Sequence, residues 1–538
     1  MLKKFRLYFL IIFLVELLSF AGFVVPQARE AGFFIILAIT LLLVVEKMKY
    51  GLYILLVELF IGSKGYLFFY DYDGTVISLR IAMFLIIMSA WLGKVLLKWV
   101  STKQDIQDEI DKIVLKSKDT IKSFSDFQEM TIKAKKITSK ATSSDNKLFI
   151  FYFLLAIFVI WGVINGYLQG NNLKNLFFDF NGWIYFGILF PVHYIWQKNK
   201  ERITKVSQDL LILLSVTASW LSLKTLALLY IFSHDFNLLA EKIYRWVRVT
   251  GVGEVNFTEL GFSRVFIQSQ VFVVVGLFVF LSLILHDVLA KKKNLLIYYF
   301  IGLSLFISTT LVSFSRSFWL GLGMGLLIYC FLVFLFFWRK WKEIILTGSI
   351  LILVTILSIG LVWTIVRFPV PQPLSGFNLS MLGERATSIS GEAGVSSRWN
   401  LLPVLVSEIK QAPILGKGFG AEVTYISDDP RVREVSPDGK YTTYAFEWGW
   451  LDIWLKLGFF GMLAYVALLI KIFITGISRI KKSELKIQKL LYIALLSGLV
   501  MITVTSFFSP YLNHPLGIGY VVLVGVIFSV AIPTKNKN

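Results

Sequence analysis

The sequence predicts an all-α polytopic membrane protein of about 14 transmembrane helices with one large external loop, and three observations carry that prediction. Of the 538 residues, 56% are hydrophobic and only 16% are charged, whereas soluble domains carry roughly 25% charged residues. Apolar runs of about 20 residues, the length that crosses a bilayer, recur from end to end. Basic residues gather in short clusters between those runs, as the positive-inside rule requires. The net charge of +20, from 54 Lys plus Arg against 34 Asp plus Glu, therefore reads as an orienting signal. It forms no basic face or arm that would suit nucleic acid.

The first apolar run follows Lys3, Lys4 and Arg6. It is longer than a signal-peptide core and lacks a small-x-small cleavage site, so it reads as an uncleaved span. Further runs start near Gly32, Tyr50, Arg80, Leu148, Gly182, Leu210, Val265, Leu295, Phe318, Ile344, Leu451, Leu490 and Leu516. An even number of spans places both termini on one side. If the spans alternate, the clusters at Lys47 and Lys49, Lys198 to Lys205, Lys291 to Lys293, Arg339 to Lys342, Arg479 to Lys489, and Lys535 and Lys537 all share that side. The rule makes it the cytoplasm.

The expected divisions are N-terminal transmembrane helices at 1–97, a cytoplasmic basic amphipathic segment at 98–147, central helices at 148–363, the external loop at 364–450 and C-terminal helices at 451–538. In the second of these, Ile106, Ile110, Ile113 and Val114 fall on one helical face. A shorter external stretch is expected from Ser233 to Phe262.

Soluble-enzyme chemistry is missing from the pattern. There is no Walker loop, dinucleotide fingerprint, nucleophile elbow or zincin helix. The histidines 193, 234, 286 and 514 are scattered, and the single cysteine, Cys330, lies in an apolar run. No metal, cofactor or disulfide framework is expected. Gly321 and Gly325 read as a close helix contact, and Trp99, Trp183, Trp338 and Trp341 as an interfacial belt.

External arginines are the informative feature. Arg264 lies in Gly261-Phe-Ser-Arg264 before a span, Arg316 in the short turn Ser313-Phe-Ser-Arg-Ser317, and Arg398 in Ser396-Ser-Arg-Trp399. External arginine runs against the positive-inside bias, so each needs a reason, and the guanidinium fork matches phosphate oxygens. Lys417 adds a cation within the glycine-rich turn Ala412-Pro-Ile-Leu-Gly-Lys-Gly-Phe-Gly420, which either presents backbone amides to an anion or bends the chain. Glu447, in Tyr444-Ala-Phe-Glu-Trp-Gly-Trp-Leu-Asp452, stands at the mouth of the next span, where a carboxylate serves as general base or as counter-ion.

The order Ser-Arg-Ser-Phe-Trp-Leu-Gly-Leu at 315–322, Ser-Arg-Trp-Asn at 397–400, Pro-Ile-Leu-Gly-Lys-Gly-Phe-Gly at 413–420 and Leu-Gly-Phe-Phe-Gly at 457–461 resembles the O-antigen ligase and polymerase family over residues 260–470. That resemblance implies a C-type glycosyltransferase-like, metal-independent and inverting enzyme. Its donor would be a polyprenyl pyrophosphate-linked glycan, and its acceptor a glycan, lipid or protein hydroxyl at the outer face of the membrane. Arg264, Arg316, Arg398 and Lys417 would hold the pyrophosphate, with Arg316 and Arg398 also stabilising the departing charge and Glu447 acting as base. Where ligases of the family place His followed by Asn, this chain has Glu447 and Trp448. A polysaccharide or lipid-linked oligosaccharide transporter is the alternative, in which Glu16, Glu58 and Lys224 within spans line a pathway. A sensor or scaffold role rests only on the segment around Ile106.

Overall fold

A computed structural model describes residues 2–117, 146–198, 203–257, 261–292, 295–387 and 393–529. Every apolar run named above is helical, and three short antiparallel hairpins are added to the helices: Phe69–Tyr72 with Thr75–Ser78, Glu254–Phe257 with Ser263–Phe266, and Val423–Ile426 with Lys440–Thr443.

Nine helical segments among the described residues are long and apolar enough to cross a membrane. The count of 14 is not reached on that measure, for physical reasons that differ from place to place. The run Arg316–Val366 is counted once but contains two helices, Arg316–Phe337 and Trp341–Val366, joined by a single 3-10 turn at Trp338–Lys340. The helices Leu296–Val312 and Pro515–Ser529 have 17 and 15 residues, and Met48–Ile61 has 14. At 1.5 Å per residue, 14 residues reach only about 21 Å, against a hydrocarbon core of about 30 Å. Such short helices survive when protein covers the backbone that continues them. After Ile61 the chain passes through Ser63, whose N–H donates to Ser269 Oγ at 2.9 Å, to the buried Leu67 and Phe68. The segment expected near Gly182 is likewise broken, into helix Leu173–Trp183, a 3-10 turn at Ile184–Ile188 and helix Leu189–Lys198.

Helix Gln270–Leu289 is the centre of the bundle, buried on nearly every face and packed against Ile203–Ser233, Leu296–Val312 and Lys486–Thr505. Helix Arg316–Phe337 lies on Lys486–Thr505 through Gly321 and Gly325. A Cβ on Gly321 would stand 2.2 Å from Thr505 Oγ1, and one on Gly325 would stand 2.5 Å from Phe278 Cζ, so the small-residue pair is a close helix contact. Peripheral helices expose Leu42, Ile352 and Phe331, as surfaces facing lipid do.

Helix Leu79–Ser117 runs on past residue 97 without a break, and the rest of the expected amphipathic segment, 118–145, lies outside the described residues. The stretch after Val366 is ordered into helices Leu379–Thr387, Ala393–Gln411 and Pro430–Val435 and the third hairpin. It has its own small core, in which Leu401, Leu405, Ile409, Val423 and Phe446 pack on Leu455 of the following span.

Candidate functional site

The turn between helices Leu296–Val312 and Arg316–Phe337 is the hub of the site. Phe314 adopts φ +46°, a conformation that a bulky residue holds only when its surroundings compel it. Its ring is fully buried and stacked on Phe262 with centroids 4.7 Å apart. The turn thereby offers two adjacent carbonyls to two arginines: Arg264 Nε donates to Ser313 O at 2.8 Å, and Arg385 Nε donates to Phe314 O at 3.2 Å. Arg316, first residue of its helix, donates from Nε to Arg385 O at 2.7 Å. Three arginines from three segments are thus tied to one turn.

Arg398 joins them from helix Ala393–Gln411. Its helical turn is pinned by Ser397 Oγ to Ser427 Oγ at 2.8 Å and by Asn400 Nδ2, which donates to Asp428 Oδ2 at 2.8 Å. The Ser-Arg-Trp-Asn motif therefore works as two anchors around the arginine. Burial, followed by repulsion from Arg264 and Arg316, pushes the Arg398 guanidinium down to about 10. Burial, followed by repulsion from Arg264, Arg316 and Arg398, pushes Arg385 down to about 10 as well. Arg264 is lowered chiefly by burial, with Glu254 opposing and Arg316 adding to the shift. At about 10 Arg385 and Arg398 remain cationic at neutral pH, and the mutual repulsion of the arginines marks a place where positive charge is concentrated.

Glu447 meets this cluster directly, its carboxylate in contact with Arg398 Nε. The contact fits the counter-ion role expected for Glu447 and leaves it adjacent to the arginines, as the base role also requires. Trp448 fixes the geometry by donating from Nε1 to Arg398 O at 3.0 Å.

The structure thus brings Arg264, Arg316, Arg398 and Glu447 together and adds Arg385, which the sequence reading missed. Arg385 sits in a nine-residue helix without a distinctive turn motif, and its only sequence signal was to be one more external arginine. Lys417 is placed elsewhere. Its ammonium is paired with Glu408 and lies 2.7 Å from Gln411 Oε1. Glu408 is ten residues beyond Arg398 on one helix, about 15 Å along its axis. The glycine turn also has its amides engaged: Lys417 N donates to Leu455 O, Phe419 N to Gly162 O and Gly420 N to Asp179 Oδ2. Of the two readings of that turn, bending the chain is the one its geometry fits.

Gly416 seats against a break in the next span, whereas Gly418 and Gly420 seat against Gly166 and Leu176. Gly458 has φ +75° and interrupts helix Gly449–Lys482, and a Cβ there would meet Ile414 O at 2.2 Å. A second group escaped the sequence reading nearby: Lys456 Nζ, 3% exposed, reaches Asp179 Oδ1 and Asp452 Oδ1 at 2.7 Å and donates to Tyr444 O at 2.8 Å. It ties the segment leading to Glu447 to two helices.

The charges invoked for a transport pathway are paired between helices. Lys224 binds Glu16 at 2.6 Å, and Arg80 holds Glu58 through Nε and Nη2 at 2.8 and 3.1 Å.

Residues 301–466 match the model of the family described as O-antigen ligase. The matched segment contains Arg316, Arg385, Arg398 and Glu447, and Arg264 precedes it. The resemblance read from the motifs is therefore supported in that segment, and with it a general function in glycan transfer at a membrane. No curated protein and no solved structure matches the chain.

Proposed function

We propose, with the ligase-like segment as premise, that the protein moves a glycan from a polyprenyl pyrophosphate carrier to an acceptor hydroxyl at the outer face of a bacterial inner membrane. The observation that supports this reading is the gathering of Arg264, Arg316 and Arg385 at one turn, with Arg398 close enough to repel them. A leaving pyrophosphate gains charge as its bond to the anomeric carbon breaks, and preformed cations stabilise that gain. The acceptor oxygen attacks the anomeric carbon from the opposite side, the carbon–oxygen bond to the pyrophosphate breaks, and the pyrophosphate departs with the electron pair. Glu447 takes the hydroxyl proton. A single direct displacement inverts the anomeric configuration and needs neither metal nor nucleotide sugar. A carboxylate where ligases carry His favours a polymerase or another branch over a lipid A-core ligase.

The test uses purified protein in neutral-lipid nanodiscs with a lipid-linked donor. Alanine at Arg316 or Arg398 abolishes transfer with protein level unchanged, and lysine restores part of it, because an ammonium supplies charge without the bidentate fork. Inorganic pyrophosphate raises the thermal midpoint of the wild type, since a ligand of the folded state alone stabilises it, and fails to raise that of Arg398→Ala. Full transfer by either alanine variant removes that residue from the site. In cells, a deletion strain that keeps single repeat units but loses long chains identifies a polymerase, and one that accumulates lipid-linked polymer identifies a ligase.

A further inference from the structure

Two dipeptides lie side by side in the site, Arg398-Trp399 and Glu447-Trp448. The charged members touch each other. The aromatic members also touch, with ring centroids 5.5 Å apart at 71°. Trp448 is the more fixed of the two: its Nε1 holds Arg398 O, and its far side meets Phe508 at 5.4 Å. That neighbour is brought close by Gly449, where a Cβ would stand 2.5 Å from Ser506 O and 3.0 Å from Pro510 Cα. Trp399 is backed by Trp448 and is 48% exposed, although its neighbours Leu401 and Leu405 are buried in the small core. A large, rigid aromatic surface is therefore held open within one residue of both the arginine and the carboxylate.

Covalent chemistry says what must lie there. In a glycosyl pyrophosphate the first sugar ring is bonded directly to the phosphate oxygen, so a pyrophosphate on Arg398 carries a pyranose about one ring-width away. The face of a pyranose presents a patch of C–H groups, and an indole face covers such a patch while leaving the hydroxyls at the rim free for water. The surroundings also set Trp399 apart from a tryptophan of the lipid interface. On its helix Trp399 lies between Ser396 and Asn400, both bonded to Asp428, which pairs in turn with Arg433.

We propose that Trp399, backed by Trp448, is the stacking platform for the sugar ring next to the transferred bond, a carbohydrate subsite distinct from the arginine cluster. This rests on the glycosyl-transfer reading, and the two fail differently. Binding is measured on the full chain in neutral-lipid nanodiscs with two probes: polyprenyl pyrophosphate without sugar, and the repeat-unit oligosaccharide released by mild acid from the host's own lipid-linked donor. Trp399→Leu weakens the oligosaccharide at least fivefold and leaves polyprenyl pyrophosphate unchanged, and Trp399→Phe, which keeps a ring, recovers most of the loss. In turnover the Leu variant shows a raised KM for donor with a smaller change in kcat. Equal oligosaccharide binding by wild type and Trp399→Leu overturns the platform while pyrophosphate binding upholds the arginine site. If the wild type binds neither probe, the glycosyl-transfer reading itself falls. Oligosaccharide binding by Trp399→Phe no better than by Trp399→Leu shows that a ring face is not what the sugar meets and also overturns the platform.

Discussion

Arg398 and Glu447 are 42% and 49% exposed in their side chains although the contacting Nε is covered, so their ion pair is partly screened by water and weaker than a fully buried one. Under the proposed function a pyrophosphate offers the same guanidinium more charge and a bidentate geometry, and so competes with the carboxylate. In the proposed reaction Glu447, once displaced, accepts the acceptor's proton. Glu447→Gln is therefore expected to act in opposite directions on two measurements. Transfer falls by roughly 10² to 10⁴, the usual worth of a positioned general base, and donor binding tightens because the competing charge is gone. Near wild-type transfer in the purified variant excludes the base role and directs attention to Asp452 or Tyr444. Arg264, Arg316 and Arg398 were legible in the sequence because each defies the charge bias of external segments. Arg385 was not, since nothing in its short helix predicts that its guanidinium turns back to the carbonyl of Phe314. Lys417 was misjudged for a related reason: charge and a glycine turn are visible in sequence, but its partner Glu408 is known only from the fold.

Helix contacts in this molecule depend on single missing methyl groups. Gly321 and Gly323 are two residues apart on one apolar helix and face opposite ways, the first against Thr505 and Met501 and the second into open space. Alanine improves helix propensity at both by about 1 kcal/mol. At Gly321 that gain is outweighed, since a Cβ 2.8 Å from Met501 O has no flexible atom to yield. Gly321→Ala is expected to lower the thermal midpoint in detergent and Gly323→Ala to hold or raise it. Equal behaviour of the two would show that this helix pair does not pack as described. The contrast was half legible: the spacing of Gly321 and Gly325 marked a contact face, but its partner, a helix some 170 residues later, was not readable. The break at Gly458 escaped the sequence altogether, because an apolar run of that length reads as one helix, and only the incoming turn at Ile414 shows why the backbone must open there.

Across the whole molecule the test concerns sidedness. With the charge clusters inside, position 117 lies in the cytoplasm and position 436 outside. In a variant with Cys330 replaced, an impermeant thiol reagent applied to intact cells should label a single cysteine at Ser436 and leave one at Ser117 unmodified. Labelling at 117 with protection at 436 inverts the scheme and moves the arginine cluster to the cytoplasmic side. Composition and spacing alone determined that the chain is a helical membrane protein and where its apolar segments begin, and singled out Arg264, Arg316 and Arg398 as candidates. Hydrophobic length and charge asymmetry are local quantities summed along the chain, so a sequence displays them directly. The tertiary structure decided which apolar segments, among the described residues, form helices long enough to cross a membrane and which form shorter helices packed among neighbours. It also paired Glu16 with Lys224 and Glu58 with Arg80 across the bundle, and gathered four arginines from segments up to 134 residues apart into one cluster around a single turn. Those outcomes depend on which faces meet in three dimensions, where burial and mutual repulsion act over a few ångströms, whatever the distance along the chain.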